Sequence, residues 1–197
     1  MLEKNMKFDI NKKIKPTIER SFINIPNNQT DNFMQNRDKN KTENETKSKR
    51  SIYEEIIPQI KSLIEGEDNT IGVLANVTAF LRSTFGERFF WVGFYLVKGE
   101  ELLLGPFQGT IACYRIKKGR GVCGTAWQRG ETIIVDDVEE FPGHIACSSL
   151  SRSEIVVPVR NAEGDITAVL DIDSTELSAF DNADREGLET IVQLLNQ

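Results

Sequence analysis

Between residues 51 and 86 the apolar positions follow a helical period. Ile52, Ile56, Ile60, Leu63 and Ile64 recur at three- and four-residue intervals, and Ser51-Ile-Tyr-Glu54 has the spacing of a capping box, so a helix is predicted to start there. Pro58 lacks the N–H that would bond back to Glu54, which predicts a kink or a restart. A second helix is expected after Asp68, through Ile71, Leu74, Val77, Ala79 and Leu81, with a stop at Phe85-Gly86. From Phe89 the period changes to two. It predicts a strand over Phe89–Val97, a turn at Lys98-Gly99-Glu100, and a strand over Leu102–Phe107. A short helix follows near Val122–Arg129, then a strand at Thr132–Val135 and a long loop from Asp136 to Arg152. A second hairpin pairs Glu154–Arg160 with Asp165–Asp173, and a closing helix begins at Asp181, with Leu188, Ile191, Val192 and Leu195 on one side.

Helices at both ends of two antiparallel hairpins define an α+β fold, a central antiparallel sheet with the terminal helices packed on one face. Sorting the strands by alternation separates two kinds of residue. One side carries Val92, Phe94 and Leu96, then Ile155, Val157 and Val159, then Ala168, Leu170 and Ile172. All are apolar and should face the helices. The other side carries Trp91 and Tyr95, then Glu154, then Asp171 and Asp173. Asp171 and Asp173 point the same way with Cα atoms roughly 7 Å apart, close enough to grip one small molecule. The plain reading is the wet face of a half-buried sheet. Two large aromatics on that face weaken it, because they would expose much apolar surface unless the 136–152 loop covers them and leaves a ligand pocket beneath.

Charge adds a boundary. Residues 1–50 carry 12 Lys+Arg against 7 Asp+Glu, and residues 51–197 carry 12 against 23, a basic tail of +5 on a body of −11. The tail mixes Lys, Asn and Glu without any apolar period, so it is expected to be a disordered polar extension preceding one domain over 51–197. Its acidic residues Glu3, Asp9 and Glu19 argue against a transit peptide. The acidic body lacks a basic, aromatic-interleaved stripe, which excludes nucleic acid as the domain's partner. No apolar run approaches the roughly 18 residues of a membrane span.

Three cysteines, Cys113, Cys123 and Cys147, are an odd number with no secretory signal ahead of them, which fits the reducing cytoplasm. Two metal or cofactor motifs compete for this region. Gly119-Arg-Gly121-Val-Cys-Gly124, with Asp136 or Asp137 beyond it, matches a dinucleotide fingerprint, but the helix after it is short and no βαβ units surround it. His144, Cys147, Cys113 and Cys123 would complete a zinc set, but their spacing lacks the close ligand pairs of structural zinc sites. Neither is adopted, and no metal is expected. Cys123, beside Val122 at a helix start, reads equally as a small buried hydrophobe. Cys147 lies in a polar Gly-containing loop where a redox thiol could be exposed.

Taken in order, Trp91-Val-Gly-Phe-Tyr95, Gly105-Pro-Phe-Gln-Gly109, Ile111-Ala-Cys113, Gly119-Arg-Gly-Val-Cys123-Gly124, Phe141-Pro-Gly-His-Ile-Ala-Cys147, Ser153-Glu-Ile-Val-Val-Pro158 and Val169-Leu-Asp-Ile-Asp-Ser174 resemble the free methionine-R-sulfoxide reductases. These are a GAF-domain family, and the resemblance spans about residues 51–197. It implies a GAF-like fold and a thiol-dependent reduction of free methionine-R-sulfoxide to methionine. It further implies Cys147 as the catalytic cysteine, Cys113 as the thiol that resolves its sulfenic acid into an intramolecular disulfide, and Cys123 as an accessory thiol. Trp91, Tyr95, Glu154, Asp171 and Asp173 would bind the substrate. No bound cofactor is implied. A thioredoxin-type dithiol would reset the enzyme, and the reading leaves a homodimer open. The alternative is a non-catalytic GAF module sensing a small ligand or redox state. Such modules usually carry an output domain, and none is visible in this sequence, which favours the enzyme.

Overall fold

The computed structural model describes residues 48–145 and 147–195, so the expectations for residues 1–47 lie outside the described residues. Helix α1 spans Lys49–Ile64 and α2 spans Thr70–Phe85. The strands are β1 (Trp91–Lys98), β2 (Glu101–Gln108), β3 (Arg115–Lys117), β4 (Ile133–Val135), β5 (Ser153–Arg160) and β6 (Ile166–Ser174). Helix α3 (Gly121–Arg129) lies between β3 and β4, and α4 (Asn182–Gln193) closes the described chain. Among the described residues no helix is long and apolar enough to cross a membrane.

The expected capping box does not form. The N-cap is Ser48, three residues upstream, whose hydroxyl accepts from the Ser51 N–H at 3.3 Å. Pro58 stays inside α1 without ending it, because it sits on the exposed side, where water can satisfy the carbonyl left without an intrahelical donor. The buried stripe of α1 is Tyr53, Ile56, Ile60 and Ile64, so Leu63, expected on that stripe, is exposed. Ile71 at the start of α2 is exposed too, while Leu74, Val77 and Leu81 are buried as their spacing predicts. At the other terminus Asp181 and Asp184 form a reciprocal capping box on α4. The Asp184 carboxylate, fully buried, also accepts from Tyr53 Oη at 3.0 Å and pairs with Lys49, locking α1 to α4.

All six strands form one antiparallel sheet in the order β3-β2-β1-β6-β5-β4. The two hairpins form as the alternation predicts. Lys98 pairs with Glu101 across a two-residue loop in which Gly99 takes φ +60°, a conformation that favours glycine in such tight turns. In the second hairpin the Asn161 side chain accepts from the Asp165 N–H at 2.8 Å. β3 has no counterpart among the expected strands.

Two cores flank the sheet. On one face α1, α2 and α4 pack against Val92, Phe94, Ile155, Val157, Val159, Ala168, Leu170 and Ile172. The opposite face is not simply wet. There Trp91, Tyr95, Val156 and Val169 join Val122, Cys123, Ala126 and Trp127 of α3 and Ile116 of β3 in a second apolar cluster. The 136–152 loop closes over this side, and its base is tied by Val138 N–H to Arg152 O at 2.9 Å.

Candidate active site

Register places the acids together. Trp91 pairs with Asp173 across β1 and β6, and Asp173 pairs in turn with Glu154 across β6 and β5. Asp171 lies two residues back on the same face, opposite Gly93 of β1. A side chain on Gly93 would collide with the Trp91 indole, so the missing Cβ lets that ring lie along the strand. The indole stacks on Phe107 at 5.4 Å and on Tyr95 at 6.0 Å between ring centroids, and its Nε1–H donates to Thr110 O at 2.9 Å. These contacts fix Trp91 as a wall.

These side chains line a pocket roofed by the loops. Trp91, Tyr95, Glu154, Asp171 and Asp173 form its floor and walls, Gly121, Val122 and Cys123 at the start of α3 form one side, and His144, Cys147 and Ser151 come from the loop. Cys147 is joined to Cys113 in a disulfide with Cα atoms 5.4 Å apart. In this form the cavity is about 40 Å³, room for a few waters.

Burial governs the electrostatics. Glu154 and Asp171 are each 6% exposed, and loss of solvent disfavours the charged form of both carboxyls. Asp171 is pushed up to about 6, with burial the main cause. Glu154 is raised well above the usual range by burial and then by the neighbouring Asp171 and Asp173 charges, and Asp173 is raised by burial and by Asp171. For both, burial favours the protonated carboxyl. Asp171 Oδ1 is buried with no hydrogen-bond partner, an acceptor waiting for a donor. Tyr95 is held neutral by burial and by Asp171.

Cys123 lies in the first turn of α3, where the helix dipole would favour a thiolate. Burial wins. The thiol is 4% exposed, its Sγ is 3.8 Å from Glu154 Oε1, and burial followed by the Asp171 and Glu154 charges pushes its pKa well above the ordinary value. It is a protonated donor to the acid cluster. Donor atoms of Cys123, Glu154 and Asp171 lie within 4.8 Å of one another, so this trio could hold a divalent ion on displacing protons. The zinc set weighed from sequence is not assembled, because Cys113 and Cys147 are bonded to each other. The glycine motif before α3 makes a turn, with Gly119 at φ +76° and Gly121 at φ +60°, and leads into a nine-residue helix.

The structure thus brings every sequence-selected site residue to one region. Sequence reasoning did not assign Ile116, Ile145 and Ser151 to the pocket wall, and weighed His144 only as a metal ligand. The first of these lies on β3, whose three residues are too few to show a period. The other three come from an irregular loop that carries no period.

A GAF domain family pattern matches residues 66–197. GAF domain-containing protein A of Dictyostelium discoideum is 60% identical over 150 residues, covering 76% of this chain and 93% of that protein. The free methionine-R-sulfoxide reductase of Escherichia coli is 43% identical over 150 residues, covering 76% and 90% of the two chains. The X-ray structure of free methionine-R-sulfoxide reductase from Neisseria meningitidis, in complex with its substrate, superposes with a TM-score of 0.73 at 48% identity, covering 78% of this chain and 92% of that one. The fold and site define a GAF-domain protein with a disulfide-bonded cysteine pair at its pocket. Within that class the chain belongs to the free methionine-R-sulfoxide reductase family, and is an oxidoreductase.

Proposed function

We propose that this protein reduces free methionine-R-sulfoxide to methionine, with Cys147 as the attacking thiol and Cys113 as the resolving one. The observation that carries this reading is a disulfide whose Cys147 lines a pocket floored by buried carboxyls, Glu154 and Asp171. Cys147 sulfur attacks the sulfoxide sulfur, and oxygen passes to Cys147 as a sulfenic acid while methionine leaves. A proton delivered to the developing oxyanion lowers the barrier, and burial, which favours the protonated form of the Glu154 carboxyl, suits it to supply one. The Cys113 thiol then displaces hydroxide from the sulfenic acid, which leaves as water with the available proton, and the disulfide forms. The electrons come from cysteine, so no bound cofactor takes part.

Substrate polarity fits the walls. Asp171, the least raised of the three acids and lacking a donor at Oδ1, takes the ammonium. The α3 N–H groups at Gly121, Val122 and Cys123 belong to the first turn, have no intrahelical acceptor, and receive the carboxylate. A residue within a polypeptide would bring two neutral amides instead, leaving these buried groups unpaired. A protein dithiol of the thioredoxin type in the cytoplasm regenerates the thiols.

The test is a stereoisomer-resolved turnover assay on free methionine sulfoxide with a dithiol reductant, run beside an N-acetylated, C-amidated analogue. Consumption of the R isomer alone, with the blocked compound untouched, is expected. Binding without turnover would return the protein to the sensor class, and equal turnover of the blocked compound would overturn the enclosed-pocket account.

A further inference from the structure

Exposed apolar side chains flank the disulfide in sequence, and one of them, Ile111, also lines the pocket. Ile111 is 86% exposed and Tyr114 is 80% exposed, one on each side of Cys113, and Leu150, three residues after Cys147, is 54% exposed. Chain connectivity alone keeps Tyr114 within about 4 Å and Ile111 within about 8 Å of the Cys113 Cα. Three of the six large apolar side chains exposed among the described residues thus lie within three residues of a disulfide cysteine. Clustering of this kind marks a contact surface.

Charge is unusual at the same place. The segment 111–120 carries Arg115, Lys117, Lys118 and Arg120 with no acid, on a domain whose net charge is −11. All four are exposed. Arg115 is paired with Glu101 at 2.9 Å, and Lys118 lies over the Trp127 ring at 4.8 Å. Lys117, on β3, has no ion-pair partner within 4 Å among the described residues and leaves an outward positive charge beside the apolar patch.

The two sulfurs also differ in placement. Cys147 lines the pocket, while Cys113 belongs to the segment that carries the exposed apolar and cationic side chains. Building on the reading above, in which this disulfide must be reduced in every cycle, we propose that Ile111, Tyr114, Leu150 and Lys117 form the docking surface for a protein dithiol reductant. Its contact face is apolar with an acidic margin, and it attacks at Cys113. A thiolate of the reductant bonds to Cys113 Sγ as the Cys113–Cys147 bond breaks, and Cys147 leaves as a thiolate that takes a proton. The second thiol of the reductant attacks its own first sulfur and releases Cys113 as a thiol. Two electrons pass to this protein, and the reductant ends as a disulfide. Attack on this side frees Cys147 directly into the pocket.

The experiment compares a small dithiol, dithiothreitol, with a protein dithiol, thioredoxin, as reductant for the full chain and for its Tyr114→Glu, Leu150→Glu and Lys117→Glu variants. Dithiothreitol-supported kcat and the KM for the sulfoxide are expected to stay within twofold of the parent. The KM for thioredoxin should rise tenfold or more in the Tyr114 and Leu150 variants, and added salt should raise it severalfold in the parent but not in the Lys117 variant. A thioredoxin variant lacking its second thiol should be trapped as a mixed disulfide with Cys113, read by peptide mass analysis. Unchanged thioredoxin kinetics in all three variants, or trapping on Cys147, would overturn the proposal. Equal losses with both reductants would return these residues to a structural role and overturn it too. Failure of the parent to turn over with dithiothreitol would instead refute the reductase reading.

Discussion

Two neighbours on β6, Leu170 and Asp171, face opposite sides of one sheet and live in opposite physical worlds. Leu170 is fully buried against the three outer helices, among apolar side chains such as Phe94, Ile155 and Ile172. Asp171 is almost as deeply buried, but beside Glu154, Cys123 and Asp173, with one oxygen unpartnered. The helical side gains stability from every residue it covers. The pocket side gives some up, because carboxyls desolvated without a cation are costly, and it holds the chemistry that a filled core would exclude. The Asp184 network marks the limit of that contrast. It is a buried acid on the helical side, but Lys49, Tyr53 and the Asp181 N–H satisfy it, so it acts as a clasp and leaves no vacancy for a ligand.

The sharpest way to separate the two sides is at the thiol. Cys147→Ser is expected to lower turnover by more than about a thousandfold, the scale of removing a nucleophile, with the melting temperature of the reduced protein nearly unchanged. Cys113→Ser should release one equivalent of methionine per protein and then stall with thioredoxin as reductant. A burst assay on both variants checks this. Multiple turnovers by Cys147→Ser would reverse the roles given to the two cysteines.

On the helical side the expected effect is on folding alone. Leu170→Ala removes a fully buried side chain facing α1, α2 and α4 and should cost about 2–5 kcal/mol of unfolding free energy. Its folded fraction should keep a near-normal KM. Urea melts and steady-state kinetics on the same sample measure both. A large KM change without loss of stability would mean that the two cores are coupled through the sheet, and the contrast would fail.

Most of the architecture was legible because the two hairpins and the closing helix are periodic and locally capped. Alternation alone assigned Val92, Phe94 and Leu96 to one face and Trp91 and Tyr95 to the other, and the register of β1, β6 and β5 bears this out. What failed was decided by tertiary contact. Ser51 offered a capping box, but Lys49 reaches Asp181 and Asp184 only if the helix starts earlier, and Ser48 supplies the cap. β3 is three residues long, too short to show a period, and exists because Leu102 and Leu103 present an edge to Ile116 and Arg115. The acids could be selected as a group from strand alternation. Their burial could not be read from sequence, because α3 and the loop that cover them are joined to them only through distant contacts.

The smallest effect, and the one of opposite sign, is expected at Asp171. Its carboxyl is raised from 3.8 to about 6 by burial, so folding favours the protonated form. For a group raised in this way the stability it contributes is full below about pH 4 and is lost as pH rises through about 6. At neutral pH the folded protein carries that penalty, on the order of 3 kcal/mol. Asp171→Asn cannot ionise and keeps nearly the same shape. The variant should therefore be more stable than the parent at pH 7, by about 1–3 kcal/mol, and its unfolding free energy should change less between pH 4 and 6. Activity should fall by about tenfold to a hundredfold, because the ammonium of the substrate loses its charged partner. Leu170→Ala and Asp171→Asn, one residue apart, would then shift stability in opposite directions while only the second impairs catalysis. Urea melts across pH 4–8 on the two variants decide it. An Asp171→Asn protein no more stable than its parent at pH 7, with the same pH slope, would mean that the acid cluster carries no desolvation strain.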